Sequence, residues 1–129
     1  MRILVADDDR TIVHLVATLL RKQSHHVVAA FDAMQVFMFA MQNPAPDAVI
    51  LDLNMPGGKG VDVVRRLKSS LKTALIPVIV LSGAIEPDVV SEMKGVGAHA
   101  FLAKPLDVGL LFATLDALKA KTGGVAARN

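Results

Sequence analysis

Five short apolar runs, each followed by a stretch of helical periodicity, constrain this chain more than any other feature. The runs are Ile3-Leu4-Val5-Ala6, Val27-Val28-Ala29-Ala30, Ala48-Val49-Ile50-Leu51, Val78-Ile79-Val80-Leu81 and Ala100-Phe101-Leu102-Ala103. None alternates with polar residues, as a strand with one wet face would. Each therefore reads as a strand covered on both sides. Strict strand–helix alternation then predicts an α/β fold, a doubly wound parallel sheet with helices on both faces. Five units are too few to close a barrel. An open sheet of this kind has a switch point, but the pattern leaves the strand order open.

The intervening stretches support this reading. Ile12, Leu15, Val16, Leu19 and Leu20 predict an amphipathic helix over about residues 10–22. Met34, Phe37, Met38 and Met41 form a second stripe, expected to pack in the core and ended by Asn43-Pro44-Ala45-Pro46. Val63, Val64, Leu67 and Leu71 mark a third helix. Pro87 opens a fourth, with Val89, Val90, Met93 and Val96 directed inward. Val108, Leu111, Phe112, Leu115 and Leu118 mark the last, with Asp107 as its N-cap. One domain is expected over residues 1–121, with a flexible C-terminal tail over 122–129 beginning near Gly123-Gly124.

Composition excludes several classes of function. The chain has 129 residues and no cysteine, which rules out a disulfide scaffold, a thiol nucleophile and a cysteine-ligated metal. No apolar run approaches the roughly 20 residues of a membrane span. Asp7, Asp8 and Asp9 interrupt the opening run before it could act as a signal sequence. A cytoplasmic domain without membrane contact is the expectation. A net charge of +2 does not imply nucleic-acid binding, and Arg65, Arg66, Lys68 and Lys72 read as a solvated helix face. His14, His25, His26 and His99 share no spacing with the acidic residues and are expected at the surface or in loops.

The chemistry lies at the strand ends. The first run leads into Asp7 and Asp8, the third into Asp52, the fourth into Ser82 and the fifth into Lys104. In a parallel sheet these ends share one edge, where open α/β sheets bind ligands. Clustered carboxylates stay ionised only with a cation among them, and an all-oxygen site of this kind suits Mg²⁺. With a hydroxyl and an ammonium added, the set fits phosphoryl transfer, in which positioning and charge neutralisation dominate. A carboxylate can itself accept the phosphoryl group. Spacing does not say which aspartate does so.

From Ile3 to about Lys119 the sequence resembles the receiver domains of two-component response regulators, and is similar to the single-domain chemotaxis receiver. The resemblance rests on Asp7-Asp8, on Asp52 before Leu53-Asn54-Met55-Pro56, on Gly60, on Ser82-Gly83 and on Lys104-Pro105. It implies a flavodoxin-like strand order 2-1-3-4-5. It also implies that Asp52 accepts a phosphoryl group from a histidine kinase or phosphotransfer protein. Asp8 and Asp52 would ligate Mg²⁺ by side chain, Asn54 by its backbone carbonyl and Asp7 through a water. Ser82 and Lys104 would contact the phosphoryl group. Phe101 would be a switch residue alongside Ser82, and the Lys104–Pro105 bond would be cis. The surface of the fourth helix, fifth strand and fifth helix would meet an output protein, because no output domain follows Lys121. A monomer or weak dimer is expected.

The sequence departs from the family pattern at Lys59, where an acidic residue is common, and at Gly58, where a larger one is usual. Ala84 is small, which suggests that water reaches the phosphoryl group easily. Two other functions compete. A Mg²⁺-dependent phosphatase with an aspartate nucleophile would use a second aspartate two residues on, a pattern met by Asp7 and Asp9 but not by Asp52, which is followed by Asn54. A flavodoxin-type binding module would need a phosphate loop after the first strand, where three aspartates stand instead.

Overall fold

The computed structural model describes residues 1–57, 59–83 and 86–126, with side chains through residue 120. Its elements alternate as expected: β1 (Arg2–Ala6), α1 (Arg10–Lys22), β2 (His26–Ala30), α2 (Ala33–Ala40), β3 (Ala48–Asp52), α3 (Gly60–Ser69), β4 (Val78–Ser82), α4 (Pro87–Gly95), β5 (Ala100–Ala103) and α5 (Val108–Ala126). All strand pairings are parallel, in the order β2-β1-β3-β4-β5.

Residues along each strand alternate between two cores, because successive side chains leave opposite faces of the sheet. Leu4, Val49, Leu51, Val78 and Val80 face α2, α3 and α4 through Val36, Val63, Leu67 and Met93. Ile3, Val5, Ile50, Ile79 and Leu81 face α1 and α5 through Val16, Leu20, Leu111 and Leu115. Two dry faces explain why the strands read as unbroken apolar runs.

Helix rotation is where the structure corrects the sequence reading. In α2 the buried residues are Ala33, Val36 and Ala40, whereas Met34, Met38 and Met41 are 70%, 54% and 42% exposed. Both stripes have helical spacing and lie about one residue apart, so periodicity could not choose between them. Small residues let the helix lie close to the sheet, and the long methionines turn outward. The same rotation in α1 buries Val13, Val16, Ala17 and Leu20 and leaves Leu15 exposed.

Other expectations also change. The third helix stops at Ser69, and Leu71 is fully exposed beyond it. Thr73 is buried instead, its hydroxyl donating to the Leu67 carbonyl. Lys68 is not a solvated charge. Its ammonium donates to the carbonyls of Ala74 and Ile76 at 3.0 and 2.7 Å, closing the turn before β4, and burial lowers its pKa. His25 is buried, with Nδ1 3.3 Å from the N-terminal amine, and burial together with that charge lowers its pKa. The last helix runs to Ala126, past the start of the expected tail. The rest of that tail, residues 127–129, lies outside the described residues.

Candidate functional site

The strand register brings the expected groups to one edge of the sheet. β1 lies between β2 and β3, and the backbone N–H of Asp7 still bonds the Ala30 carbonyl at 3.1 Å. Asp7 is therefore held as firmly as the strand itself and is only 1% exposed. Asp8, the next residue, is exposed to solvent at the rim of the same cluster. Asp52 ends β3 with 4% exposure, and the following N–H of Leu53 bonds the Leu81 carbonyl. Ser82 ends β4 and is also buried. Its carbonyl accepts the Lys104 N–H at 2.9 Å, which fixes the start of the loop after β5 beside the β4 tip. The Lys104–Pro105 bond is cis.

Lys104 reaches between the two buried carboxylates. Its ammonium lies 3.0 Å from Asp7 Oδ2 and 3.0 Å from Asp52 Oδ1. Burial raises the Asp52 pKa; the Lys104 hydrogen bond opposes this and the Asp7 charge adds to it. A hydrogen bond from the Asn54 backbone favours the ionised form but does not reverse the balance. For Lys104, burial works against the charge, yet its hydrogen bonds to Asp52 and Asp7 prevail and the pKa is raised. One ammonium thus serves two buried carboxylates, and the site is short of positive charge.

That shortage defines what the site can hold. One oxygen from each of Asp7, Asp8 and Asp52 lies within 4.8 Å of the others. Two oxygens on one octahedral Mg²⁺, each at about 2.1 Å, are about 3.0 Å apart when cis and about 4.2 Å when trans, so carboxylates this close can reach one ion directly or through a water after modest movement. The donor set is all oxygen, as Mg²⁺ prefers. The carboxylates present fit the ion.

The loop after Asp52 completes the edge. Asn54 is exposed there. Gly57 takes a positive φ of 94°, which suits glycine. Gly60 packs so tightly that a Cβ would sit 2.5 Å from Leu53 Cδ2 and 3.0 Å from Leu53 Cα. Gly58 and Ala84 lie outside the described residues. Phe101 does not join the polar cluster. It is half-buried in β5, paired in register with Val80, on the face covered by α2, α3 and α4.

Asp9 has a role the sequence reading did not assign. Its carboxylate caps α1, accepting from the N–H groups of Thr11 and Ile12 at 2.9 and 3.4 Å. Its own N–H donates to Asp7 Oδ1 at 3.0 Å. An aspartate directly before an amphipathic stretch is an N-cap signal, obscured here by its two acidic neighbours.

A family model for the response regulator receiver domain matches residues 3–116. The chain belongs to this family. Among curated relatives of this receiver domain, the sensory/regulatory protein RpfC of Xanthomonas campestris pv. campestris is 39% identical over 95% of the chain. The chain spans only 17% of the length of RpfC. Protein PilH of Pseudomonas aeruginosa is 33% identical, with 92% of the chain and 98% of PilH covered. The solved structure of Vibrio cholerae chemotaxis protein CheY4 superposes with a TM-score of 0.84 at 27% identity, covering 91% of this chain and 97% of that one. The receiver domain of a DNA-binding response regulator from Colwellia psychrerythraea gives a TM-score of 0.85 at 31% identity, covering 92% and 97%. The flavodoxin-like order expected from the resemblance is the order observed.

Proposed function

We propose that this receiver domain is a phosphoacceptor switch in which Asp52 takes a phosphoryl group from a phosphohistidine of a histidine kinase or phosphotransfer protein. The observation that carries the reading is the placement of Asp52: buried at the tip of β3, beside Asp7, and touched by Lys104 at 3.0 Å. A carboxylate oxygen of Asp52 attacks phosphorus, the P–N bond to the donor imidazole breaks, and an acyl phosphate forms. Asp8 and Asp52 would hold Mg²⁺ by side chain, Asn54 by its carbonyl and Asp7 through a water; when bound, the ion offsets carboxylate and phosphoryl charge. Lys104 stays near the new phosphoryl oxygens, and the Ser82 hydroxyl donates to one of them. These contacts exist only in the phosphorylated state, so they supply the energy that shifts the population.

In this reading Phe101 turns inward on activation, and the α4–β5–α5 surface changes its preference for a separate output protein. The protein acts in the cytoplasm as a monomer or weak dimer. Two observations weigh against the aspartate-nucleophile phosphatase. The Asp9 carboxylate is engaged at the α1 N-terminus, and the residue two after Asp52 is Asn54.

The test is incubation with Mg²⁺ and acetyl phosphate, followed by intact-mass measurement. One phosphoryl group per chain, lost in Asp52→Ala, is expected. Rapid multiple turnover of a stable phosphomonoester would overturn the reading in favour of a phosphatase.

A further inference from the structure

The surface carries an apolar face along α2 and the connection after α3, reaching at one end to the loop after Asp52. Of the large hydrophobic residues exposed among the described residues, most lie on α2 or on the connection after α3: Met34, Met38, Met41, Leu71 and Leu75. The last two are 101% and 95% exposed. The α4–β5–α5 surface has only Leu110 of this kind among the described residues.

The two parts of the face are joined. Ser70 Oγ lies 3.8 Å from Met41 Sδ, and the Lys72 ammonium donates to the Met41 carbonyl at 3.0 Å. Between α2 and α3 lies a cavity of about 280 Å³ lined by Ala33, Met34, Phe37, Met38, Gly57 and Arg66. Along its wall the Arg66 guanidinium stacks on Phe37, 4.1 Å from the ring centre.

The charges around this face are one-sided. Arg66 lines the cavity, and Lys72 brackets the end of α2. Asp62 and Arg65 offset each other at 2.9 Å and Asp32 accepts from the Gln35 N–H as the α2 cap, while Arg66 and Lys72 have no ion-pair partner among the described residues. A second copy of the chain docking through this face would set cations against cations. A partner with acidic residues beside an apolar stripe meets both features.

We propose that the α2–α3 face is a docking surface for an amphipathic helix of another protein, with apolar residues at i, i+3, i+4 and i+7 flanked by Asp or Glu. Methionines suit the contact, since their flexible thioethers adapt to the shape of a partner. Helix-in-groove recognition anchors one large side chain in a pocket and aligns the rest along a stripe. Here the α2–α3 cavity takes the anchor, Met34, Met38 and Met41 form the stripe, and Arg66 and Lys72 pair with the acidic flanks. The surface is separate from the α4–β5–α5 output face, so both could be occupied together.

The test uses three designed helical peptides with the whole protein: a leucine stripe flanked by Glu, the same stripe flanked by Lys, and a scrambled Glu peptide. Binding is followed by fluorescence anisotropy and by methyl NMR of the methionines. The Glu-flanked peptide should bind at least about tenfold more tightly than either control, and should shift the Met34, Met38 and Met41 methyl signals. Met38→Glu and Arg66→Glu should each weaken it about tenfold, while Leu110→Glu leaves it unchanged. Circular dichroism of the variants checks that they fold, as the exposure of Met38 makes expected. Equal binding of the Glu and Lys peptides, no binding, or insensitivity to Met38→Glu would overturn the proposal. So would self-association of the protein in ultracentrifugation that Met38→Glu abolishes.

Discussion

Replacing Lys104 by Met tests the charge balance of the site directly. The substitution keeps much of the side-chain volume and removes the only cation seen in contact with the buried pair Asp7 and Asp52 among the described residues. Each ammonium–carboxylate contact spans 3.0 Å, equivalent to about 5 kcal/mol at an effective dielectric constant near 20. The two carboxylates have oxygens within 4.8 Å, and their mutual repulsion, about 3 kcal/mol on the same basis, is then uncompensated. Part of the loss is returned, because the lysine no longer pays for its own desolvation and Asp52 can take up a proton. A net cost of about 3 kcal/mol near neutral pH, at the lower end for an orphaned buried charge, is expected.

The pH dependence sharpens this test. The Asp52 pKa is already raised above 3.8 by burial, and losing Lys104 raises it further. The folded variant then binds a proton that the unfolded chain has released, so its deficit is full above the raised pKa and shrinks as pH falls through it. Lys104 itself is raised above 10.5, so the stability it contributes is present below that value and lost as pH rises through the folded pKa. Urea denaturation of both proteins, in chelator and in excess Mg²⁺ at several pH values, provides the assay. The deficit should narrow in Mg²⁺, because a bound ion takes over the neutralising role. A cost independent of both pH and Mg²⁺ would refute the charge argument and reduce Lys104 to a packing residue.

Two further outcomes follow, one from the α1 cap and one from positions singled out in the sequence. Asp9→Ala should cost about 1 kcal/mol through loss of the α1 cap, read by denaturation, while modification of Asp52 by acetyl phosphate persists. Loss of that modification with stability intact would assign Asp9 a chemical role instead. Asn54→Arg and Ala84→Tyr should each lengthen the life of the phosphorylated protein by restricting attacking water, and an unchanged half-life in both would remove these positions from control of hydrolysis.

The sequence alone determined the fold class, because strands buried on both faces must be continuous apolar runs and the intervening stripes can only be helices. It also grouped Asp7, Asp52, Ser82 and Lys104, since residues at the C-terminal ends of parallel strands share one edge of the sheet. Only tertiary structure decided how the helices turn and how the charges are shared. Periodicity identifies α2 as a helix, but with both faces apolar its rotation is set by close packing of Ala33, Val36 and Ala40 against the sheet, which leaves the methionines outside. Lys68 and His25 likewise read as surface groups until the backbone around them is placed, because their partners are main-chain carbonyls and the N-terminal amine. The position of one ammonium between two buried carboxylates depends on residues 52 and 97 positions apart, and only folding brings them within 3.0 Å.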